Sequence, residues 1–326
     1  MAVKPWLGAI KEPIPSPKLG DDAKKKPKVR YEIDWVYGYR SEEARMNLFF
    51  NDKGEAVYPT AALGIIYNFK DEEQTYFGGG ATDYGSGKKS SDEKVHTDDI
   101  TALCINSKRT KVATGQNGPK PLVYIWDSNT AEVIEKITTK RVPKGGRLVS
   151  ALGFSNQDKY LAACDMAEKI TVHIFDLGPK GKQDPIADVQ IGQKVMHLAW
   201  NPNSEDTFAT VGKDHMYLCT FTAGKGDKKA SCSKKKGTVS GKGCSHSSIA
   251  WSTDKKTMFT GGADGKLYQW TGASTDSTAA VCKGAVHSVA TTNDGGNEIV
   301  LAGGNDKAIS IFNFKGKLDK IKTITL

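Results

Sequence analysis

The stretch that decides the fold of this chain is Trp35-Val36-Tyr37-Gly38-Tyr39-Arg40, followed by a long apolar run from Met46 to Phe77. The turn residues inside that run divide it into four short strands. Four such strands in about fifty residues is the size of one blade of a β-propeller. We therefore expect this segment to form the first unit of a ring.

The strand boundaries in the run follow from its turn residues. The predicted strands are 46–50, 55–58, 61–69 and 75–77. The turn at 51–54 is rich in residues that tolerate positive φ, and the acidic turn Asp71-Glu72-Glu73 separates the last two strands. Pro59 cannot donate a ladder hydrogen bond, so we expect it at a bulge or an edge.

Five further segments repeat one pattern downstream. Each begins with a small apolar strand: Ala102–Ile105, Ala151–Phe154, His197–Trp200, Ser248–Trp251 and Ser288–Thr291. A second strand follows, and a third strand closes at an aromatic residue: Trp126, Phe175, Phe221, Trp270 and Phe312. The closing aromatics are separated by 49, 46, 49 and 42 residues, which brackets the period of WD repeats. The pattern predicts an all-β, WD40-type β-propeller of about six blades, with residues 318–326 as the last outer strand.

Histidine and aspartate recur at scaffold positions of these repeats. His246 and His287 precede Asp264 and Asp306 by 18 and 19 residues. In a WD blade, such a His, an Asp, a Ser or Thr and a Trp share a buried hydrogen-bonded network. Only Trp126 and Trp270 can donate an indole N–H, so the network is expected to be partial in most blades.

Two other histidines of the repeats, His173 and His215, lie in or next to third strands. We expect them at the surface or the rim.

Several blocks of the sequence resemble the echinoderm microtubule-associated protein-like family. The blocks 35–40, 54–58, 61–64 and 66–68 are similar to its hydrophobic HELP motif, in order and spacing. The blocks 96–100, 113–116 and 125–128 are similar to its first WD repeat. The resemblance makes Trp35, Tyr37, Gly38, Tyr39 and Arg40 structural motif residues and implies tubulin as the partner. It also implies a first propeller with one more blade, so the ring here is either a compact six-bladed one or is incomplete.

The net charge of +9 is concentrated in two segments. Residues 1–30 hold five of the twelve prolines and a net charge of +5, and are expected to form an extended tail. Residues 222–243 carry +6, and 223–243 read as a loop that is too polar to be a strand. Both segments could attach to an acidic partner, and the candidate binding residues are Trp6, Lys24, Lys25, Lys26, Lys28, Arg30, Lys228, Lys229, Lys234, Lys235 and Lys236.

Other site classes find little support in the sequence. No Ser/His/Asp or Cys/His grouping converges, so we expect no catalytic residue, and we expect no cofactor. The six cysteines form no CxxC pair, which argues against a metal site, and Cys104, Cys164 and Cys219 lie in predicted strands as reduced thiols. The stretch 85–90 departs from the phosphate-loop pattern. No membrane span or signal segment is evident, and the basic segments lack the interleaved aromatics of nucleic-acid binders.

These observations define a domain plan and two hypotheses. The plan is a tail at 1–30, the HELP motif and first blade at 31–80, a Gly/Ser/Lys linker at 81–95, and five WD repeats at 96–326. The first hypothesis is a non-enzymatic propeller that binds microtubules in the cytoplasm, as a structural component of ciliary axonemes alongside other axonemal proteins. The second is a general WD40 scaffold that captures a peptide in the central pore, with tubulin irrelevant. The sequence leaves open which face meets the partner and whether a microtubule would be bound inside or outside.

Overall fold

The computed structural model describes residues 33–41, 44–78, 95–118, 121–138, 148–178, 184–239, 243–254 and 256–326. The regular elements in these ranges are all β-strands, grouped in six four-stranded antiparallel sheets. In every sheet the strand order follows the chain, so each sheet is a simple meander of neighbouring hairpins. The predicted all-β propeller architecture is confirmed.

The first three sheets span the amino-terminal half of the described chain. The first contains β1 (Phe49–Phe50), β2 (Ala56–Thr60), β3 (Leu63–Asn68) and β4 (Glu73–Phe77). The second contains β5 (Ile100–Ile105), β6 (Lys111–Gln116), β7 (Leu122–Asp127) and β8 (Val133–Thr138). The third contains β9 (Val149–Phe154), β10 (Tyr160–Asp165), β11 (Thr171–Asp176) and β12 (Ala187–Gln190).

The last three sheets complete the series. The fourth contains β13 (Val195–Trp200), β14 (Thr207–Gly212), β15 (His215–Thr222) and β16 (Ser231–Lys236). The fifth contains β17 (His246–Trp251), β18 (Thr257–Gly262), β19 (Lys266–Thr271) and β20 (Ser274–Ala280). The sixth contains β21 (Val286–Asp294), β22 (Asn297–Gly304), β23 (Ala308–Phe314) and β24 (Leu318–Thr325). The expected last outer strand at 318–326 is therefore present as β24.

Five hydrophobic clusters fill the five interfaces between consecutive sheets. The aromatic residue that closes each third strand packs onto the preceding sheet. Trp126, for example, is fully buried among Val57, Ile66 and Phe77 of the first sheet, and its indole stacks on the Phe77 ring at 5.1 Å. The repeated aromatic is thus the residue through which each sheet is fixed to its predecessor.

Close packing at the first interface depends on Gly64. A Cβ at this position would lie 2.7 Å from Cζ2 of the Trp126 indole, closer than carbon atoms approach without displacement. The missing side chain at Gly64 therefore provides the space into which the Trp126 indole fits.

The ring is open between the sixth and first sheets. Consecutive sheets pack through their inner strands, whereas no comparable packing joins the described strands of the sixth sheet to those of the first. A weak contact between described residues crosses the opening, from the Ser288 hydroxyl to the Met46 sulfur at 3.9 Å. The incomplete ring, one of the two alternatives left by the sequence, is the one observed.

The first strand is shorter than predicted. Residues 46–48 are irregular because Met46 has a positive φ of 49° and the Asn47 side chain donates to the carbonyl of Arg40 at 2.7 Å. Pro59 lies in the part of β2 that extends past β1, where its missing N–H leaves no ladder bond unmade. The edge position predicted for Pro59 is confirmed, and there is no bulge at this point.

Candidate partner-binding surfaces

The stretch from Ile33 to Arg40, which we call the strap, runs across the first sheet on the face turned away from the second sheet. Val36 fixes it by a pair of hydrogen bonds with one side chain. Its N–H donates to Gln74 Oε1 at 2.9 Å, and its carbonyl accepts from Gln74 Nε2 at 3.2 Å. The Tyr76 hydroxyl donates to the carbonyl of Asp34 at 3.1 Å. Side chains of β4 thus hold an extended segment that is not itself a strand.

Aromatic and ionic contacts position the two ends of the strap. The Trp35 ring meets the Tyr67 ring edge-on at 5.8 Å, and Tyr39 meets Tyr58 at 6.0 Å. Burial raises the pKa of Tyr39, and the nearby Arg45 charge opposes that shift. Arg40 Nη1 donates to Asp99 Oδ2 at 2.7 Å, which ties the strap to the chain just before β5. The motif residues therefore act as a structural unit that joins the first two sheets.

The backbone conformation at position 38 of the strap favours a glycine. Its φ of +110° lies in a region that residues with a Cβ rarely adopt, and its carbonyl accepts a hydrogen bond from the Thr60 hydroxyl at 2.9 Å. The glycine lets the strap turn between the Trp35 and Tyr39 contacts.

The basic segment predicted as a loop at 223–243 contains a strand. Ser231–Lys236 forms β16, the outer strand of the fourth sheet, paired with β15 from Tyr217↔Lys236 to Thr222↔Ser231. An outer strand is solvated on both faces, so it needs no apolar alternation to be stable once its neighbour supplies the ladder. The residues of β16 are nearly all exposed, which is why their polarity concealed the strand.

The five lysines proposed as binding residues in this segment occupy different environments. Lys234 is held in place: its Nζ lies 4.7 Å from the centre of the Tyr217 ring and donates to the carbonyl of Gln190 at 2.6 Å. Lys235 lies on the opposite face of β16, because successive strand residues alternate. Lys228 and Lys229 are exposed at the end of the β15–β16 hairpin, and Lys236 is also exposed. The other candidate residues, Trp6, Lys24, Lys25, Lys26, Lys28 and Arg30, lie outside the described residues.

Trp126 and Trp270 each donate into a buried hydrogen-bond chain. Trp126 Nε1 donates to Thr114 Oγ1 at 3.1 Å, and this hydroxyl lies 2.8 Å from His96 Nε2. His96 Nδ1 lies 2.9 Å from Gln116 Oε1. Burial lowers the pKa of His96 to about 4, so the ring is neutral, accepts from Thr114 and donates to Gln116.

The second hydrogen-bond chain lies in the fifth sheet. Trp270 Nε1 donates to Thr260 Oγ1 at 2.8 Å, and this hydroxyl lies 3.1 Å from His246 Nδ1. Asp264, predicted to join this network, instead accepts from the Tyr268 hydroxyl at 2.8 Å. In the sixth sheet, similarly, His287 pairs with Asn305 rather than with Asp306.

His173 and His215 are buried, contrary to the prediction of surface or rim positions. His173 Nε2 lies 3.0 Å from Asp165 Oδ2, and its Nδ1 lies 2.5 Å from Asp188 Oδ1. Burial disfavours the charged ring, but the two carboxylates outweigh it and raise the pKa of His173 to about 9. His215 has a lowered pKa because it is buried, and its Nδ1 lies 3.1 Å from the Lys213 carbonyl. The His173–Asp188 contact was not visible in sequence, since it depends on the register between β11 and β12.

A cavity of about 240 Å³ lies among the inner strands of the first five sheets. Its lining includes four aromatic side chains: Phe49, Phe154, Trp200 and Trp251. His197, which lines the cavity with the polar residues Ser107 and Asn156, accepts the N–H of Ile249 on Nδ1 at 2.9 Å, and burial lowers its pKa to about 4. A neutral His197 therefore carries its proton on Nε2.

Other chemistry is sparse in the described ranges. All six cysteines are free thiols, and burial raises the pKa of Cys104 to about 12. Within these ranges no three His, Cys, Asp or Glu side chains converge as metal ligands, and no helix is long and apolar enough to cross a membrane.

The six radial sheets define a WD-type β-propeller with a HELP motif. The first sheet bears the aromatic strap, and two others carry the Trp–Thr–His hydrogen-bond chains. Residues 94–326 match the echinoderm microtubule-associated protein first beta-propeller, and residues 26–65 match the HELP motif. The chain belongs to the echinoderm microtubule-associated protein family.

Named relatives share sequence along nearly the whole chain. The ciliary WD repeat-containing protein ctxp80 of Euplotoides octocarinatus is 37% identical over 98% of this chain and 43% of its own length. The 77 kDa echinoderm microtubule-associated protein of Strongylocentrotus purpuratus is 27% identical over 92% of this chain and 41% of its own length. The chain thus spans less than half the length of these relatives. Among solved structures, the β-propeller domain of Cps50 (Swd1) from Myceliophteria thermophila superposes with a TM-score of 0.55 at 17% identity, over 68% of this chain and 70% of that one, which shows the fold alone.

Proposed function

We propose that this chain is a non-enzymatic, microtubule-associated propeller that binds the tubulin lattice. The observation that carries the proposal is the family match, which covers the HELP motif and the propeller together. The strap explains in physical terms why that motif belongs to the first sheet. The relative from Strongylocentrotus purpuratus is named for its association with microtubules, and the protein from Euplotoides octocarinatus is named as ciliary. We extend the proposal to an axonemal location in cilia, beside other axonemal proteins, and otherwise to the cytoplasmic cytoskeleton.

Charge gives an independent reason for a tubulin partner. Tubulin exposes acidic surfaces and tails, whereas this chain has a net charge of +9 with a basic amino-terminal segment and a basic outer hairpin. Lys228, Lys229 and Lys235 are exposed, and Lys234 is already engaged with a neighbouring sheet. Attraction between exposed charges is screened beyond about 8 Å at physiological salt. The basic segments therefore speed association and make it depend on salt, while other contacts fix the position of the protein on the lattice.

The proposal is tested by co-sedimentation with microtubules across a range of salt concentrations. The triple variant Lys228→Gln, Lys229→Gln, Lys235→Gln should bind about fivefold more weakly at low salt, since exposed pairs contribute about 0.2–1 kcal/mol each. Removal of the acidic tubulin tails should reduce wild-type binding and abolish the difference between the two proteins.

A matched control removes the same charge elsewhere. The variant Lys315→Gln, Lys317→Gln, Lys322→Gln changes three exposed lysines of the sixth sheet and should bind like the wild type. Deletion of residues 1–30 tests the other basic segment. Binding that is absent, or that is unaffected by salt and by both basic segments, would count against attachment through charge.

The central cavity favours a second candidate, a scaffold that captures a peptide in the pore. Its aromatic and aliphatic lining and the Nε2–H of His197 suit an apolar side chain that carries a hydrogen-bond acceptor. Unchanged localisation after removal of both basic segments, together with loss of localisation in Trp251→Ala, would favour the scaffold over the microtubule attachment.

A further inference from the structure

Ser231 is the first residue of β16, the outer strand of the fourth sheet, and follows the tip of the β15–β16 hairpin. The residue is exposed and forms the last pair of the ladder, opposite Thr222 of β15. The end of an edge strand opens at low cost in free energy. The fourth sheet packs against the third and the fifth sheets and does not border the opening of the ring. The exposure of Ser231 is therefore independent of that opening.

Strand alternation separates Ser231 from the side chains of β16 that are already engaged. Cys232 packs against the hydrophobic cluster between the third and fourth sheets, and Lys234 donates to the carbonyl of Gln190 in the third sheet. Ser231 points to the opposite face, because successive residues of a strand alternate. Its hydroxyl is thus presented on the face of the hairpin that is turned away from the third sheet.

Two lysines precede Ser231 at a spacing that many protein kinases select. Lys228 and Lys229 lie three and two residues before the serine, and both are exposed. Kinases with an acidic substrate cleft bind paired basic side chains at these positions and align the following hydroxyl with the γ-phosphate of ATP. The backbone N–H groups of Lys225 and Lys228 each donate to the other's carbonyl at 3.2 Å, which closes the hairpin tip. The tip therefore ends at Lys228, and the chain runs on through Lys229 into the strand.

Two other hydroxyl residues have paired lysines at the same spacing, Thr238 and Ser91. Thr238 is anchored to the fifth sheet, because its N–H donates to the carbonyl of Ala273 at 2.9 Å and its carbonyl accepts from the N–H of Thr275 at 3.1 Å. Ser91 lies outside the described residues. Of the two described residues with this spacing, Ser231 is therefore the one at a free hairpin end.

We propose that Ser231 is a phosphorylation site for a protein kinase that recognises paired basic residues before the acceptor serine. The Ser231 oxygen bonds to the γ-phosphorus of ATP, its proton passes to the catalytic carboxylate of the kinase, and the bond from the γ-phosphorus to the β–γ bridging oxygen breaks to release ADP. The phosphate adds a charge of about −2 beside Lys228 and Lys229. Its consequence rests on the proposed function: the added charge offsets lysines of the hairpin and weakens attachment to acidic tubulin.

The test is incubation of the full, folded chain with ATP and the catalytic subunit of cyclic-AMP-dependent protein kinase, followed by phosphopeptide mapping by mass spectrometry. Ser231 should become phosphorylated stoichiometrically, and about tenfold faster than the anchored Thr238. The double variant Lys228→Gln, Lys229→Gln should slow phosphorylation of Ser231 about tenfold. Lys225→Gln removes another exposed lysine of the same hairpin tip and should leave the rate unchanged.

A synthetic peptide of residues 225–236 shows whether the kinase accepts the sequence itself. A peptide that is phosphorylated while Ser231 of the folded chain is not would overturn the proposal, because the strand would then conceal the hydroxyl. An unmodified peptide, or an unchanged rate in the double lysine variant, would overturn it as well, because the paired lysines would not be recognised.

Co-sedimentation with microtubules then tests the consequence of the phosphate. The phosphorylated chain should bind about threefold more weakly than the unmodified chain at low salt. Ser231→Ala treated with the kinase retains any phosphate on Ser91 and should bind like the unmodified chain. Equal binding of the phosphorylated and unmodified chains would overturn the regulatory role. Absence of binding by the unmodified chain would instead contradict the proposed function, and the phosphopeptide map would still decide the modification site.

Discussion

Replacement of Thr114 by valine should destabilise the propeller far more than its small change in shape suggests. The Thr114 hydroxyl is fully buried and links Trp126 Nε1, at 3.1 Å, with His96 Nε2, at 2.8 Å. Valine has nearly the same shape, so little packing is lost, but it can neither accept from the indole nor donate to the imidazole. Two buried polar nitrogens are then left unpaired.

The magnitude follows from those two nitrogens. An unsatisfied buried polar group costs about 1–3 kcal/mol, so Thr114→Val should reduce the free energy of unfolding by about 2–4 kcal/mol. For a chain of this size the midpoint of thermal unfolding should fall by roughly 3–6 °C. Thr114→Ser keeps the hydroxyl and loses one methyl group, so its cost should be about 1 kcal/mol.

The fourth sheet offers a matched control at Thr210. This threonine occupies the corresponding position of β14 and is fully buried, but the closing aromatic of its sheet is Phe221, which has no N–H. The Thr210 hydroxyl makes no ordinary hydrogen bond among the described residues, and its polar neighbour is the Cys219 thiol, a weak partner. Thr210→Val should therefore be neutral or slightly stabilising in the same thermal and urea unfolding experiments. Equal losses for Thr114→Val and Thr210→Val would refute the role assigned to the Trp–Thr–His chain.

Two further predictions concern pH and close packing. The pKa of His173 is raised to about 9, so the charged ring stabilises the fold fully below pH 6.5, by about 3 kcal/mol, and this contribution is lost as pH rises through 9. Urea midpoints measured from pH 6 to 10 should fall more steeply for the wild type than for His173→Gln, and parallel curves would contradict the prediction. Gly64→Ala should cost about 1–3 kcal/mol in chemical unfolding, because the new methyl group meets the Trp126 indole. Gly303→Ala is the control, because its Cβ would come no nearer than 3.9 Å, to the carbonyl oxygen of Ala308; it should change stability by less than about 0.5 kcal/mol, and equal effects would remove the packing argument.

Acidification should also lower the free energy of unfolding, through three histidines other than His173. Burial lowers the pKa of His96, His197 and His246 to about 4. These rings stay neutral in the folded protein while the unfolded chain takes up protons below pH 6.5, so the stability they provide is lost as pH falls from 6.5 towards 4. The loss of stability between pH 6.5 and 4 should therefore remain in the variant His173→Gln.

The repeat pattern predicted the sheets because it reflects burial. The inner strands and the closing aromatics Trp126, Phe175, Phe221, Trp270 and Phe312 face other sheets, so their apolar spacing is visible in the sequence. β16 was missed for the opposite reason. Its lysines are solvated, and the strand exists because β15 presents a free edge, which is a tertiary effect that local pattern does not encode.

The sequence also did not predict which side chains pair across neighbouring strands. His173 lies beside Asp188 because β11 and β12 pair in one particular register, and a shift by one residue would separate them. The opening of the ring follows similarly from how the first and sixth sheets are placed, although the count of six sheets was predictable. The strap was recognisable by its motif, but its attachment through Gln74 and Tyr76 required the three-dimensional arrangement.

The most direct test of the central claim is a cryo-electron microscopy reconstruction of microtubules decorated with the full chain. Attachment through charge predicts density for an open ring of six sheets on the lattice, with the β15–β16 hairpin bearing Lys228 and Lys229 turned towards tubulin. Bare microtubules at low salt, or a bound ring with that hairpin and the amino-terminal segment both turned away from the filament, would contradict it.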